Sequence, residues 1–182
     1  AGLNSIKTIS ETVGRFGEEG RESVLSAVNG GLASQYYSAS KLIDNDADKA
    51  VLLHRAMGAV DAAYKNNESM DRVLPIKAAV LVALGRKTEA LETYRDVLTL
   101  RQSNPNPSLA AIGEAESDLG WGYFLTGQGG KAREMLERGI GKLRESRNIH
   151  FTVKQLRKLC RVAAFQNPIR AWDAIVEAHD IA

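Results

Sequence analysis

The sequence has a single cysteine, Cys160, which excludes an intramolecular disulfide and a zinc site with four cysteine ligands. Thiols stay reduced inside cells, so we expect a reducing compartment: the cytoplasm, or an organelle matrix or stroma if a targeting peptide has been removed. The three histidines, His54, His150 and His179, stand far apart and lack the spacing of metal ligands. With 44% hydrophobic and 25% charged residues and only 4 prolines, the composition is neither disordered nor collagen-like.

Long apolar runs and a strong overall charge are also absent. The longest apolar run, residues 78–85, is far shorter than the roughly 18 residues of a membrane span, so a soluble protein is expected. The net charge is only +2, but residues 131–170 carry 11 basic and 3 acidic residues. The other 142 residues carry 13 basic and 19 acidic residues. Such a basic segment is a candidate surface for an acidic partner.

Two segments, residues 71–100 and 113–143, align with each other at a period of 42 residues. The alignment superimposes Gly85 on Gly127. On both sides of each glycine, apolar residues recur at the i, i+3, i+4 and i+7 spacing of a helix. Each segment therefore predicts two helices, the first ended by a glycine in a left-handed conformation.

Proline and asparagine mark the expected helix starts. Asn106-Pro107 and Asn167-Pro168 each read as an N-cap followed by proline at the first helical position. Pro75 is expected in the first turn of its helix, because further in it would remove a hydrogen bond.

These features resemble the tetratricopeptide repeat family. The residues that carry the resemblance are Leu119, Gly120, Tyr123, Gly127 and Ala132 in one copy, and Leu81, Gly85, Ala90 and Tyr94 in the other. The period exceeds the usual 34 residues of the family, and Lys77, Ala78 and Gly139 depart from its pattern. The resemblance implies an all-α fold, a superhelical stack of antiparallel helix hairpins.

Weaker copies flank the two matching segments, and together they set the expected organisation. We expect a helical repeat domain at residues 31–182, preceded by an N-terminal helical extension or cap at residues 1–30. The approximate repeats are residues 31–66, 71–103, 107–146 and 150–182. An end repeat otherwise exposes a hydrophobic face, which such a cap would cover.

Two motifs superficially suggest ligand chemistry. Residues 119–132, LGWGYFLTGQGGKA, resemble a phosphate-binding loop, but Leu125 and Ala132 replace its required glycine and hydroxyl, so a turn between helices is predicted. The acids of residues 44–48 start like a calcium loop, but Lys49 and Arg55 replace its glycine and glutamate. Those acids instead fit a helix N-terminus, where negative charge is stabilising. With no nucleophile and base at a readable spacing, we expect no enzymatic activity, no cofactor and no metal.

The resemblance also implies a partner-binding groove, lined by the first helix of each pair. Carrying the register over assigns to it Arg72, Ile76, Val82, Glu114, Asp118, Trp121 and Phe124. Because Glu114 and Asp118 would repel carboxylates, the acidic C-terminal tails of chaperones are not expected as ligands. Trp121 and Phe124 could anchor an apolar or helical peptide, since aromatic residues are enriched at binding hot spots. The competing interpretation is that both rings are buried between helices.

A basic patch is the second candidate surface. It comprises Lys131, Arg138, Lys142, Arg144, Arg147, Lys154, Arg157, Lys158 and Arg161. The last four recur at i, i+3, i+4 and i+7, which predicts one shared helix face. A solvated face and an acidic protein partner are the favoured interpretations, and nucleic acid and anionic membrane are less favoured. Against nucleic acid, few aromatic residues are present to stack on bases.

The sequence therefore predicts a non-catalytic protein–protein interaction module that acts as an adaptor, scaffold or assembly factor on another protein or peptide segment. One alternative is a nucleic-acid-associated helical-repeat domain that uses residues 131–170. The other is a regulatory sensor that binds a short peptide or a small effector. Helical repeats serve many unrelated processes, so the partner and the oligomeric state stay open.

Overall fold

The protein is all-α. Its structure, a computed structural model, describes residues 18–65, 70–164 and 167–181. Within these ranges the chain forms eight α-helices and no strand, which confirms the predicted fold class. The chain divides into two compact units, residues 1–85 and 86–182. Most of the predicted N-terminal extension, residues 1–17, lies outside the described residues.

The first unit contains α1 (Glu18–Ser40), α2 (Asp46–Lys65) and α3 (Met70–Ala83). α1 and α2 pack along each other, and α3 packs against both. Leu53, Ala56 and Val80 form one of their buried apolar clusters, and the buried Ser26 hydroxyl of α1 donates a hydrogen bond to the Ala63 carbonyl of α2 at 3.1 Å. α1 is continuous through residue 30, so residues 18–30 share one helix with the start of the first predicted repeat.

The start of α2 explains the run of acids before it. The Asn45 side chain accepts hydrogen bonds from the backbone N–H groups of Ala47 and Asp48, at 2.9 and 3.3 Å. Asp46 and Asp48 lie in the first turn, where the partial positive charge of the helix end stabilises carboxylates. The interpretation of these acids as a helix N-terminus is confirmed.

The prediction for Pro75 was wrong. Pro75 is the sixth residue of α3 and not part of its first turn. A proline there supplies no N–H to the helix, which weakens it. The same helix buries Val73, Leu74, Ala78, Val80 and Leu81, and this packing offsets the missing hydrogen bond.

The second unit contains α4 (Lys87–Gln102), α5 (Leu109–Leu125), α6 (Gly129–Glu145), α7 (Ile149–Ala163) and α8 (Pro168–Asp180). Each of these helices packs against the next one in sequence, and α7 also packs against α5. The core joins α6, α7 and α8 through fully or almost fully buried side chains, among them Leu136, Ile140, Leu156, Leu159 and Ala174. Within the unit, consecutive helices therefore stack in the manner of helical hairpins.

The turn glycines adopt the predicted conformation. Gly85 and Gly127 have φ angles of +76° and +80°, in the left-handed region that favours glycine. After α5, the N–H of Gln128 donates to the Tyr123 carbonyl, which satisfies one of the free carbonyls at the helix end. The glycine-rich stretch of residues 119–132 is thus the end of α5, a turn and the start of α6.

The two asparagine–proline signals had different outcomes. Asn167 caps α8, accepting a hydrogen bond from the Arg170 N–H at 3.1 Å, and Pro168 is its first residue, as predicted. The prediction at Asn106 was wrong by two residues. α5 begins at Leu109, and its N-cap is Ser108, whose hydroxyl accepts from the Ala111 N–H.

α5 and α6 approach unusually closely, because glycines face each other across their contact. A β-carbon at Gly139 would lie 2.2 Å from Ser117 Oγ and 2.4 Å from the carbonyl oxygen of Gly113. Near the other end of the pair, a β-carbon at Gly120 would lie 2.9 Å from the Ala132 carbonyl oxygen. The helices run antiparallel, and only glycine fits at these positions.

The same helix pair encloses a carboxylate. The Glu116 side chain is 1% exposed and accepts hydrogen bonds from Arg138 Nη2 at 2.9 Å and Lys142 Nζ at 2.8 Å. The cations on α6 reach it from the surface, since they are 53% and 29% exposed. A buried charge is tolerated only when it is paired in this way.

Candidate functional site

The two groove carboxylates predicted on α5 already have cationic partners within the second unit. Glu114 pairs with Arg101 of α4 at 3.2 Å and lies 3.7 Å from Lys154 of α7. Asp118 pairs with Lys158 of α7 at 2.5 Å. These carboxylates therefore join neighbouring helices, and their negative charge is largely compensated.

The two groove aromatics predicted on α5 lie between the core and the surface. Trp121 and Phe124 are both half-buried, and their ring centroids are 5.2 Å apart with planes tilted by 32°. Phe124 also packs against the core of the second unit. Part of the aromatic surface that the sequence analysis assigns to partner binding is thus buried against other residues of the second unit.

The groove residues predicted on α3 belong to the first unit. Arg72 is exposed, whereas Ile76 and Val82 are half-buried. Arg72 and Ile76 line a cleft of about 300 Å³ together with Ser26 and Ser34 of α1. Ile76 also packs against the apolar clusters of this unit, so its role in the fold is established.

Most cations of the basic patch are engaged with carboxylates. The ion pairs are Arg138 and Lys142 with Glu116, Arg144 with Glu177, Lys154 with Glu114, and Lys158 with Asp118. Lys131 lies over the Tyr123 ring, 5.6 Å from its centroid. Among the described residues, no carboxylate pairs with the remaining three, Arg147, Arg157 and Arg161.

The four-residue stripe on α7 is divided between two surroundings. Lys154 and Lys158 turn toward the carboxylates of α5. Arg157 and Arg161 instead line a cavity of about 510 Å³ on the open side of the α7–α8 pair. The half-buried Cys160 lies between them and also faces this cavity. The patch is therefore not one uniform basic face.

α8 completes the cavity and carries exposed apolar side chains beside it. Ala171, Ala174 and Ala178 form its buried stripe against the rest of the unit. Ile169, Trp172, Ile175 and Val176 lie outside this stripe, and Trp172 is 66% exposed. We call Arg157, Arg161, Trp172, Ile175 and Val176 the terminal face.

The sequence matches no known protein-family model, and no curated protein matches it. The geometry of the described residues is therefore the basis for any assignment. Within those residues, no group of three or more histidine, cysteine, aspartate or glutamate side chains could hold a metal ion. None of the described helices is both long enough and apolar enough to cross a membrane.

Sequence reasoning missed the terminal face, although part of its signal is visible in the sequence. The small residues Ala171, Ala174 and Ala178 define the inward side of α8 by their spacing. Trp172 and Ile175 fall outside that side, which marks them as exposed apolar residues. The sequence could not show that Arg157 and Arg161 line one cavity with Ile175, because that depends on how α7 and α8 pack.

Proposed function

We propose that the chain is a non-catalytic helical-repeat module of tetratricopeptide type, and that it binds another protein through the terminal face. The observation that carries this proposal is the 66% exposure of Trp172 beside exposed Ile175 and Val176. A contiguous apolar patch around an exposed aromatic residue is typical of an interaction site. Tryptophan and arginine are also the residue types most enriched among binding hot spots.

The terminal face supports binding better than the groove on α5. Glu114 and Asp118 hold cations of neighbouring helices, and Phe124 packs against the core. A partner in that groove would have to break existing ion pairs before forming new ones. At the terminal face, neither Arg157 nor Arg161 pairs with a carboxylate of the described chain, and the Trp172 ring is mostly in water.

Binding of nucleic acid by the basic patch is the less favoured alternative. Five of its nine cations form ion pairs with carboxylates. Phosphate groups would compete with those carboxylates for the cations. The number of phosphate contacts sets the salt dependence of binding. A regulatory sensor that binds a small effector would use a cleft such as the one beside Arg72, and ligand binding alone would then stabilise the protein.

We expect Trp172→Ala to weaken binding of the partner at least about 30-fold, or about 2 kcal/mol, because the ring would lose its contact area at the centre of the interface. The same change should alter stability by less than about 1 kcal/mol, since the ring is mostly exposed. The measurement is affinity capture from the source lysate, with and without nuclease, followed by titration of the purified partner.

Trp121→Ala is the matched control in the same unit. It removes a half-buried ring that packs on Phe124, so we expect lower stability and unchanged partner binding. The opposite pattern, with binding lost only in Trp121→Ala, would assign the partner to the predicted groove. Capture that disappears on nuclease treatment would instead favour the nucleic-acid alternative.

A further inference from the structure

The second unit shows how this chain adds a helix to an existing pair. α7 packs against both α6 and α5, placing Leu156 and Leu159 in the shared core. At the edge of that contact, Lys158 of α7 meets Asp118 of α5 at 2.5 Å. An added helix is therefore held by apolar packing in the middle and by opposite charges on the flank.

The α7–α8 pair presents an equivalent surface on its open side. α6 begins at Gly129 and α8 at Pro168, so an offset of 39 residues superimposes the two pairs. At this offset Arg157 takes the position of Asp118, and Cys160 takes that of Trp121. Both Arg157 and Cys160 line the cavity of about 510 Å³. The position that contacts α7 when it stands on α5 is therefore accessible to a ligand when it stands on α7.

The charge at this position is reversed. α5 offers a carboxylate and receives a lysine, whereas α7 offers arginines. Arg157 and Arg161 are four residues apart, so they project from the same flank of α7 about one turn apart. A matching helix would carry acidic residues at the same spacing and apolar residues facing Ile175, which takes the position of the core residue Leu136 at this offset. Arginine suits this role because its planar fork binds a carboxylate through two parallel hydrogen bonds.

We propose that the terminal face binds an acidic amphipathic helix of a partner protein, which packs on α7 and α8 as one further helix of the stack. This inference rests on the proposed function and names the chemistry of the partner. Two features favour such a helix over a lipid surface. Ile175 and the two arginines line a cavity that side chains can enter, and the arginines lie on the α7 wall of that cavity.

The test uses the full chain and a synthetic 18-residue helical peptide, with leucines at i, i+3, i+4 and i+7 and glutamates four residues apart on one flank. A control peptide replaces each of those glutamates with lysine. Fluorescence anisotropy of the labelled peptides gives the affinities. We expect the acidic peptide to bind the wild-type chain at least tenfold more tightly than the basic peptide does.

Charge reversal sharpens the test. Arg157→Glu with Arg161→Glu should weaken binding of the acidic peptide at least tenfold and transfer the preference to the basic peptide. Arg55→Glu with Arg133→Glu makes the same change in net charge at two exposed arginines that do not line the cavity, and it should leave the preference unchanged. Near-native circular dichroism of both double variants establishes that they fold.

The outcomes separate this inference from the proposed function. Equal binding of both peptides by the wild-type chain, or no binding up to about 1 mM, overturns the acidic-helix inference. If the captured partner still requires Trp172 in that case, the proposed function stands with different ligand chemistry. If the chain binds no peptide but binds anionic vesicles through Arg157 and Arg161, the face is assigned to a membrane. If it instead self-associates through these arginines, the face is assigned to a second copy. Either result would also overturn the inference.

Discussion

The double variant Arg138→Ala and Lys142→Ala is expected to lose about 3–5 kcal/mol of unfolding free energy, because it leaves Glu116 buried and without a partner. The Glu116 side chain is 1% exposed, and these two residues are its only cationic partners among the described side chains. A carboxylate held in that position without a cation would retain the full penalty of its removal from water.

Glu116→Gln is the informative comparison, because it removes the charge from the other side of the same pairs. Arg138 and Lys142 are partly exposed, so water can solvate them once the carboxylate is gone. The amide oxygen can also still accept a hydrogen bond from Arg138. We therefore expect a loss of about 1–2 kcal/mol.

Urea unfolding followed by tryptophan fluorescence measures the loss of unfolding free energy for both variants in the unit that contains Glu116. The two tryptophans, Trp121 and Trp172, both lie in the second unit, so their signal reports the unfolding of that unit. Equal losses for the double alanine variant and for Glu116→Gln would show that the carboxylate is well solvated, which would contradict its described burial.

Gly139→Ala is expected to destabilise the second unit by about 2–3 kcal/mol, although alanine is the better helix former. The new β-carbon would overlap the carbonyl oxygen of Gly113, at 2.4 Å, and the hydroxyl of Ser117, at 2.2 Å. A backbone oxygen cannot rotate away, so α5 and α6 would have to separate. The hydrogen bond from Ser117 Oγ to the Gly113 carbonyl, 2.8 Å long, lies at the same point and would be disturbed.

Gly141→Ala, two residues further along the same helix, provides a matched control of opposite sign. A β-carbon at Gly141 meets nothing within 4 Å, so only the helix propensity changes. We expect a gain of about 0.5–1 kcal/mol from this substitution. The same urea series measures both variants, and stabilisation by both alanines would show that α5 and α6 are further apart than described.

Local features of the fold were predictable from the sequence because they depend on a few neighbouring residues. The left-handed conformation at Gly85 and Gly127 follows from glycine between two helical patterns. The cap at Asn167 follows from a side chain that can accept from the next turn, followed by proline. Ala90 and Ala132, which carry part of the resemblance to the repeat family, are both fully buried.

Features that depend on which helix faces which could not be predicted. Glu116 reads in the sequence as an ordinary surface residue of α5, and its burial follows from the glycine contacts that bring α6 close. Gly139 is a departure from the repeat pattern in the sequence, whereas the structure shows that the contact with Gly113 leaves no room for alanine. The sequence also could not show that the four-residue stripe on α7 has two different surroundings, because these depend on α5 and α8, which approach α7 from different sides.

The order in which the helices pack has a kinetic consequence. Among the described helices, those that pack together within either unit are adjacent in sequence or separated by one helix. Contacts at short sequence separation require only short loops to close, so they form with a small loss of chain entropy. Proteins with such low contact order refold in microseconds to milliseconds. Each unit should therefore complete its folding soon after its last helix leaves the ribosome.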